Sequence, residues 1–120
     1  MTTTITVCET CRREGAATAG ATCGEALAAL VEAAAEGVAG IATRRHACLM
    51  GCKAACTVAV QAHGKMAYTL GRFDPSAEAA AGIVAYAARH ATLAGGVVPY
   101  REWPEAIKGH FVTRHPPLPE

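Results

Sequence analysis

Residues 58–70, which read VAVQAHGKMAYTL from Val58 to Leu70, decide the fold of this chain. Apolar side chains alternate with small or polar ones along residues 58–61 and again along residues 66–70, which is the period of a β-strand. Residues 62–65 contain Gly64, which adopts the positive φ of a tight turn at little cost. The stretch therefore predicts two antiparallel strands joined as a hairpin.

The sequence before the hairpin predicts a strand, a helix and a second strand. Residues 3–7 are β-branched or apolar and predict a strand that ends at Cys8, while residues 9–22 predict a loop. A helix is expected from Gly24, with Gly37 marking its end. Its apolar stripe, at spacings of three and four residues, is Leu27, Leu30, Val31 and Ala34. Residues 41–46 predict a short strand that leads toward Cys48.

A second helix is predicted after the hairpin. Asp74 is a candidate cap, Pro75 suits the first turn, and Glu78 favours the positive end of the helix dipole. Its buried stripe is Ala80, Ile83, Val84 and Ala87, and Gly95-Gly96 ends it. Residues 99–120 are punctuated by proline and predict a tail, with a short helix around residues 105–108 and with Tyr100 and Trp103 packed on the sheet.

This order of elements predicts one α/β domain over residues 1–98, followed by the tail over residues 99–120. A β-α-β unit, a β-hairpin and a final helix form the element order of thioredoxin, a mixed sheet flanked by two helices. In that arrangement the end of the first strand and the loop before the hairpin lie at the same edge of the sheet. The cysteines that border these two segments are expected to meet there.

Composition excludes several functional classes. The chain has 120 residues, of which 52% are hydrophobic and 18% charged, which argues against a disordered protein. A net charge of +1, with no basic run between aromatic residues, argues against a nucleic-acid partner. Neither a signal peptide nor a membrane-spanning segment is recognisable, so a cytoplasmic location without a membrane partner is expected. In a reducing compartment, cysteines serve as metal ligands or redox groups more often than in disulfides.

The six cysteines fall into two tight groups, which are Cys8, Cys11 and Cys23, then Cys48, Cys52 and Cys56. Thiolates are soft ligands that suit iron–sulfur clusters and zinc, and four of them complete either kind of site. Gly51 leaves room for backbone to approach a metal, and Arg12, Arg13 and Lys53 would offset the charge of an anionic cluster. The pattern predicts one four-thiolate site with two further cysteines beside it.

Two other kinds of site are consistent with these residues. Cys8 and Cys11 with a later pair of cysteines also form an ordinary structural zinc arrangement, in a zinc- or cobalt-binding protein or metal carrier. The same two residues follow a strand, as the redox pair of a dithiol oxidoreductase does, although a loop rather than a helix is predicted after Cys11. His46, two residues before Cys48, is a weaker candidate ligand.

The residues from Cys48 to Gly71, CLMGCKAACTVAVQAHGKMAYTLG, resemble the thioredoxin-like [2Fe-2S] ferredoxins and the related small iron–sulfur subunit of respiratory complex I. Cys48 and Cys52 match the C-x3-C motif of those proteins, and Val7-Cys8 matches their first ligand. Together with VCETCR from Val7 to Arg12, the stretch is also similar to a bacterial family of predicted metal-binding proteins of unassigned function. Genes of that family often lie near cobalamin-biosynthesis genes.

The resemblance implies a [2Fe-2S] cluster held by Cys8, Cys11, Cys48 and Cys52, in a carrier that transfers single electrons and is not itself an enzyme. It further implies a redox protein as partner, a homodimer, and service to corrinoid or cobalt metabolism. The chain departs from the ferredoxin pattern in the spacing of the second ligand, so Cys23 competes with Cys11 for that role. Cys56 stands where those proteins have a proline, which leaves an additional thiol near the site.

Overall fold

The computed structural model describes residues 2–8, 23–46, 56–73 and 75–117 of the chain. The elements, in chain order, are β1 (Thr3–Cys8), α1 (Cys23–Ala35), β2 (Ile41–His46), β3 (Val58–Gln61), β4 (Ala67–Leu70), α2 (Ala77–Thr92) and β5 (Phe111–His115). Two short 3-10 turns, Tyr100–Glu102 and Glu105–Ile107, lie between α2 and β5. Each helix and strand predicted from the sequence is present, and the second turn falls where a short helix was expected.

The five strands form one mixed sheet in the order β2-β1-β3-β4-β5. β1 and β2 are parallel, with Thr3 opposite Ile41 and Cys8 opposite His46. β3 runs antiparallel to β1, and β4 and β5 continue the antiparallel pairing. The predicted hairpin is confirmed, and Gly64 in its turn has a φ of 74°. The sheet with its two helices is compatible with a thioredoxin-like α/β fold.

Both helices pack on the same face of the sheet, since they contact one another and each contacts β1. Strand pairing places Val7, Val58 and Leu70 in one row across that face, and all three are buried. The predicted stripes supply the helical side of this core, which includes Leu27, Val31, Ala80, Ile83 and Ala87. Burying such a layer of aliphatic side chains is the main favourable contribution to folding.

The first turn of α2 corrects one detail of the sequence analysis. The N-cap is Ser76, whose hydroxyl accepts a hydrogen bond from the backbone N–H of Ala79 at 3.0 Å. Asp74, the cap expected from the sequence, lies outside the described residues. Both side chains have the short oxygen that caps a helix, so the sequence pattern alone did not distinguish them.

A network of buried polar groups joins the other end of α2 to β1 and β4. The Nε2–H of His90 donates to the carbonyl of Met66 at 2.7 Å, which leaves Nδ1 to accept from the Thr3 hydroxyl at 2.8 Å. Lys65 Nζ donates to the carbonyls of His90 and Ala91 at 3.0 and 2.6 Å. These carbonyls belong to the last turn of α2, where a cation is favourable.

The C-terminal segment contributes β5, a strand that the sequence analysis did not predict. It pairs with β4, and a β-bulge separates Thr69 from Leu70 in the register. Gly71 and His110 extend this connection through two hydrogen bonds, one from the Gly71 N–H to the His110 carbonyl and one from His110 Nδ1 to the Gly71 carbonyl, both 2.8 Å. Trp103 packs against Phe111, with ring centroids 4.4 Å apart, so the expected packing of Trp103 is found.

The helices have no membrane-spanning character. Within residues 23–46 and 75–117, neither helix combines the length and the apolar composition that crossing a bilayer requires.

Candidate metal centre

The carboxyl ends of β1 and β2 and the start of β3 meet at one edge of the sheet. Cys8 is the last residue of β1, and His46, the last residue of β2, lies directly opposite it. On the other side, the backbone N–H of Cys8 donates to the carbonyl of Thr57 at 3.0 Å, which extends the β1–β3 pairing by one residue. The chain therefore leaves the sheet at this edge after Cys8, which belongs to the first cysteine group. It enters the sheet again at this edge after Cys56, which belongs to the second.

Cys8 and Cys56 are both buried at this edge but belong to different faces of the sheet. Cys8 is 1% exposed and shares a face with Thr6, because alternate residues of a strand point the same way. That face is opposite to the one that carries α1 and α2. Cys56 has no exposed surface and is part of the apolar cluster on the helix side, with Val58 and Leu70. The structure thus separates a cysteine on the face opposite α1 and α2, which we call the open face, from one in the core.

Two consecutive arginines of β2 place their charges on opposite faces of the sheet. Arg45 faces α1, where its Nε and Nη2 donate to the Glu32 carboxylate at 2.9 and 2.8 Å. This hydrogen bond, with the arginine charge, holds the pKa of Glu32 below its ordinary value although partial burial opposes the shift. Arg44 lies on the open face, and its Nε donates to the buried hydroxyl of Thr6 at 2.7 Å. Cys8 therefore shares its face with a cation that no described carboxylate neutralises.

His46 is closer to Cys8 than its sequence position suggested. Adjacent strands are separated by roughly 4.8 Å, and the register sets these two residues opposite one another, so they share the open face. His46 is exposed. From the sequence His46 is only a weak candidate, because a lone histidine at a strand end is usually structural or solvated, and its position opposite Cys8 follows from the parallel register.

Most of the predicted ligands fall in segments that are not described. Cys11, Cys48 and Cys52 lie outside the described residues, and for Cys23 only its backbone, the first residue of α1, is described. Across residues 2–8, 23–46, 56–73 and 75–117, no group of three or more metal-ligating side chains is close enough to hold an ion. Cys8 is the one predicted ligand whose surroundings are defined, and the ligand set stays a prediction.

Comparison with known proteins identifies a family. Residues 5–117 match a family described as a protein of unknown function (DUF1636), and the chain belongs to that family. The match includes both cysteine groups and all the strands and helices apart from the first two residues of β1. No curated protein and no solved structure matches the chain significantly.

Proposed function

We propose that this member of the DUF1636 family is a cytoplasmic, [2Fe-2S] ferredoxin-like electron-transfer protein. The observation that carries the proposal is the position of Cys8, buried on the open face where the chain from the first cysteine group leaves the sheet and the chain from the second arrives. Cys8, Cys11, Cys48 and Cys52 are the proposed ligands. A buried thiol is a fitting ligand because cluster binding removes its proton and supplies the compensating iron charge.

Chain length favours convergence of the remaining ligands on this edge. An extended residue spans at most about 3.5 Å, so chain length limits the Cα–Cα separation of Cys8 and Cys11 to roughly 11 Å and that of His46 and Cys48 to roughly 7 Å. The same limit keeps Cys52 within roughly 14 Å of Cys56. Since Cys8, His46 and Cys56 are all at this edge, the proposed ligands are tethered to it from three strands.

Cys56 is proposed as the additional thiol rather than as a ligand. It belongs to the apolar cluster of the helix-side core, and cysteine side chains behave as small apolar groups in such places. Cys8 lies on the other face of the sheet, which makes a site shared by the two residues less favourable. This supports Cys52 over Cys56 as the second residue of the C-x3-C pair, with Cys23 as the alternative to Cys11.

The chain's own residues are expected to set the reduction potential. A [2Fe-2S] cluster, when bound, accepts and returns one electron, and protein groups alter its potential through charge, hydrogen bonds and exposure. Burial of Cys8 opposes added negative charge, whereas the Arg44 guanidinium on the same face favours it. The Cys8 N–H is already bonded to Thr57, so it is not available to donate to a sulfur.

Absorption spectroscopy with metal analysis tests the proposal. Anaerobically purified protein should show broad bands between roughly 320 and 550 nm that bleach with dithionite, with about two irons and two sulfides per chain. Cys8→Ser and Cys48→Ser should abolish or strongly change these bands, while Cys56→Ala, the matched control, should keep them. A colourless protein without sulfide would contradict the cluster, and loss of colour only in Cys56→Ala would contradict the ligand choice.

Zinc binding is the second candidate function, and one observation favours it. His46 lies opposite Cys8 on the same face, and one histidine with three cysteines is a common structural zinc set. A metal carrier or structural zinc protein would then hold stoichiometric zinc and no sulfide. His46→Asn separates the two functions, since it should weaken zinc binding in this case and leave a four-cysteine cluster in place.

The proposed partners follow from the resemblance in the sequence. A redox protein would exchange electrons with the chain, and a pathway of corrinoid or cobalt metabolism and a homodimeric state are extensions by analogy. No nucleic acid and no membrane take part in this proposal. Pull-down of the loaded protein with its neighbouring gene products would test the pathway.

A further inference from the structure

A second candidate site lies between the edge strand β5, which is three strands away from β1 in the sheet, and the segment that follows α2. A groove of about 270 Å³ opens there, and its surface is mostly apolar. Its walls include Tyr68, Trp103, Phe111, Val97, Val112 and Arg114. Of the described residues, only three large hydrophobic side chains are strongly exposed, and two of them, Val97 and Val112, line this groove. The third, Tyr100, packs on Trp103.

The aromatic walls of the groove are held in fixed positions. The Trp103 indole donates to the Val98 carbonyl at 2.8 Å and packs against Phe111 at a tilt of 31°. Phe111 in turn meets the buried Tyr68 ring edge-on, with centroids 5.5 Å apart. Rings that are already ordered can stack on a flat ligand without losing further side-chain entropy.

Arg114 gives the groove a positive charge that no described carboxylate neutralises. It lies opposite Tyr68 in the β4–β5 register and is exposed. Residues 97–117 contain two acidic side chains, and both are paired elsewhere, Glu102 with Arg89 and Glu105 with Lys108. The side chain of Arg114 has no hydrogen bond or ion pair to any described side chain, and it lines the groove with its planar set of N–H donors.

We propose that this groove binds a small aromatic carboxylate. The rings of Trp103 and Phe111 would contact the flat apolar part of the ligand, and Arg114 would bind its carboxylate through two hydrogen bonds. Pockets that bind drug-sized molecules measure roughly 300–1,000 Å³, so this groove, at the lower end of that range, suits a ligand with one or two rings. The site is independent of the proposed electron-transfer function and of the cysteines.

Fluorescence of Trp103, the single tryptophan of the chain, tests the proposal directly. The full-length protein is titrated with phenylacetate, with its neutral analogue phenylacetamide and with the aliphatic hexanoate, and calorimetry repeats each titration. Phenylacetate should give a saturable change, and each of the other two should bind at least about tenfold more weakly. Equal affinity for the amide would overturn the requirement for an anion, and equal affinity for hexanoate would overturn the requirement for a ring.

Variants assign the interaction to Arg114. Arg114→Gln should weaken phenylacetate about tenfold or more and leave phenylacetamide unchanged, whereas Arg114→Lys should retain part of the affinity. Arg101→Gln is the matched control, because Arg101 is an exposed arginine nearby that does not line the groove. No saturation at millimolar phenylacetate would overturn the proposal. Self-association that covers Trp103 would also overturn the proposal, because the occupant of the groove would then be a second copy of the chain. It would appear as fluorescence and sedimentation that depend on protein concentration.

Discussion

The two ends of β1 use buried polar residues in opposite ways. At the amino end, Thr3 has no exposed surface, and its hydroxyl is bonded to His90, whose other ring nitrogen is bonded to Met66. At the carboxyl end, Cys8 is equally buried but shares its face with a cation, Arg44, which no described carboxylate neutralises. At the amino end the buried polar groups form hydrogen bonds with one another. The carboxyl end instead has two side chains that can ligate a metal, Cys8 and His46, beside the charge of Arg44.

This contrast indicates that the two ends of β1 have different roles, one in stability and one in ligand binding. Hydrogen bonds at the amino end are all internal to the protein, so their loss should appear in stability and not in ligand binding. At the carboxyl end, Cys8, His46 and Arg44 belong to the proposed metal site, so their loss should appear first in metal binding. Substitutions at the two ends should therefore change different measurements, and the predictions below are ordered by the size of the expected change in stability.

His90→Ala should have the largest effect. The change leaves a cavity and removes partners from Thr3 and Met66, so we expect the free energy of unfolding to fall by about 3 kcal/mol. Urea denaturation followed by circular dichroism measures it. His63→Ala, in the exposed hairpin turn, is the control and should change stability by less than about 0.5 kcal/mol. The amount of iron or zinc bound per folded chain should be the same in both variants. A fully folded but metal-free His90→Ala protein would contradict the separate roles of the two ends of β1.

Gly96→Ala should also destabilise the hydrogen-bond network around His90, by crowding His90 and Lys65. Gly96 has a φ of 71°, and an added Cβ would lie 2.7 Å from Nε2 of His90 and 2.8 Å from Cβ of Lys65. Backbone strain and this contact together should cost about 2 kcal/mol. Gly95→Ala is the matched control, since a Cβ there meets nothing within 4 Å and the backbone is not left-handed. Equal melting temperatures for the two variants would show that the network tolerates displacement.

Acid should weaken the amino end selectively. Burial lowers the pKa of His90 below its ordinary value of 6.5, and although the Met66 hydrogen bond opposes this shift, the charge of Lys65 adds to it. The unfolded chain then binds a proton more readily than the folded one, so stability is complete above about pH 6.5 and falls as the pH drops below it. The loss levels off below the folded-state pKa. His90→Gln should remove this part of the pH dependence, and an unchanged profile would assign it to other groups.

The elements that the sequence predicted well are those with strong local signals. The hairpin follows from alternation and a turn glycine within residues 58–70, and α2 follows from a stripe that packs as the spacing requires. β5 was missed because four of its five residues are exposed, which removes the alternation that marks a strand, although Phe111-Val112-Thr113 has strand-favouring composition. An edge strand with both faces largely in solvent gives little periodic signal.

Predictions about the site were limited by contacts between distant residues. The meeting of the ends of β1 and β2 with the start of β3 at one edge was predictable from element order alone, since parallel strands joined by a helix end at the same edge. The convergence of both cysteine groups there stays a prediction. The pairing of His46 with Cys8 required the register of β1 and β2, and the position of Cys56 in the core required the packing of the helices. Neither relationship has a counterpart in the spacing of residues along the chain.

Arg44→Gln should have the smallest effect on stability and the clearest effect on the proposed cluster at the carboxyl end of β1. The side chain is exposed and its one hydrogen bond is to the buried Thr6 hydroxyl, so the free energy of unfolding should fall by at most about 1 kcal/mol. Loss of its charge should lower the reduction potential of the cluster-loaded protein by roughly tens of millivolts, because a nearby cation stabilises the reduced, more negative form. Protein-film voltammetry on the loaded protein measures this shift.

Arg45→Gln makes this last comparison a test of position and not of net charge. It removes the same charge one residue away, but on the helix face, where Glu32 already neutralises it. Losing this exposed ion pair should cost at most about 1 kcal/mol of stability and leave the potential nearly unchanged. Equal shifts of potential in the two variants would mean that only overall charge matters. A shift confined to Arg44→Gln would tie the open face of β1 and β2 to the redox centre, which is what separates this end of the strand from the end held by His90.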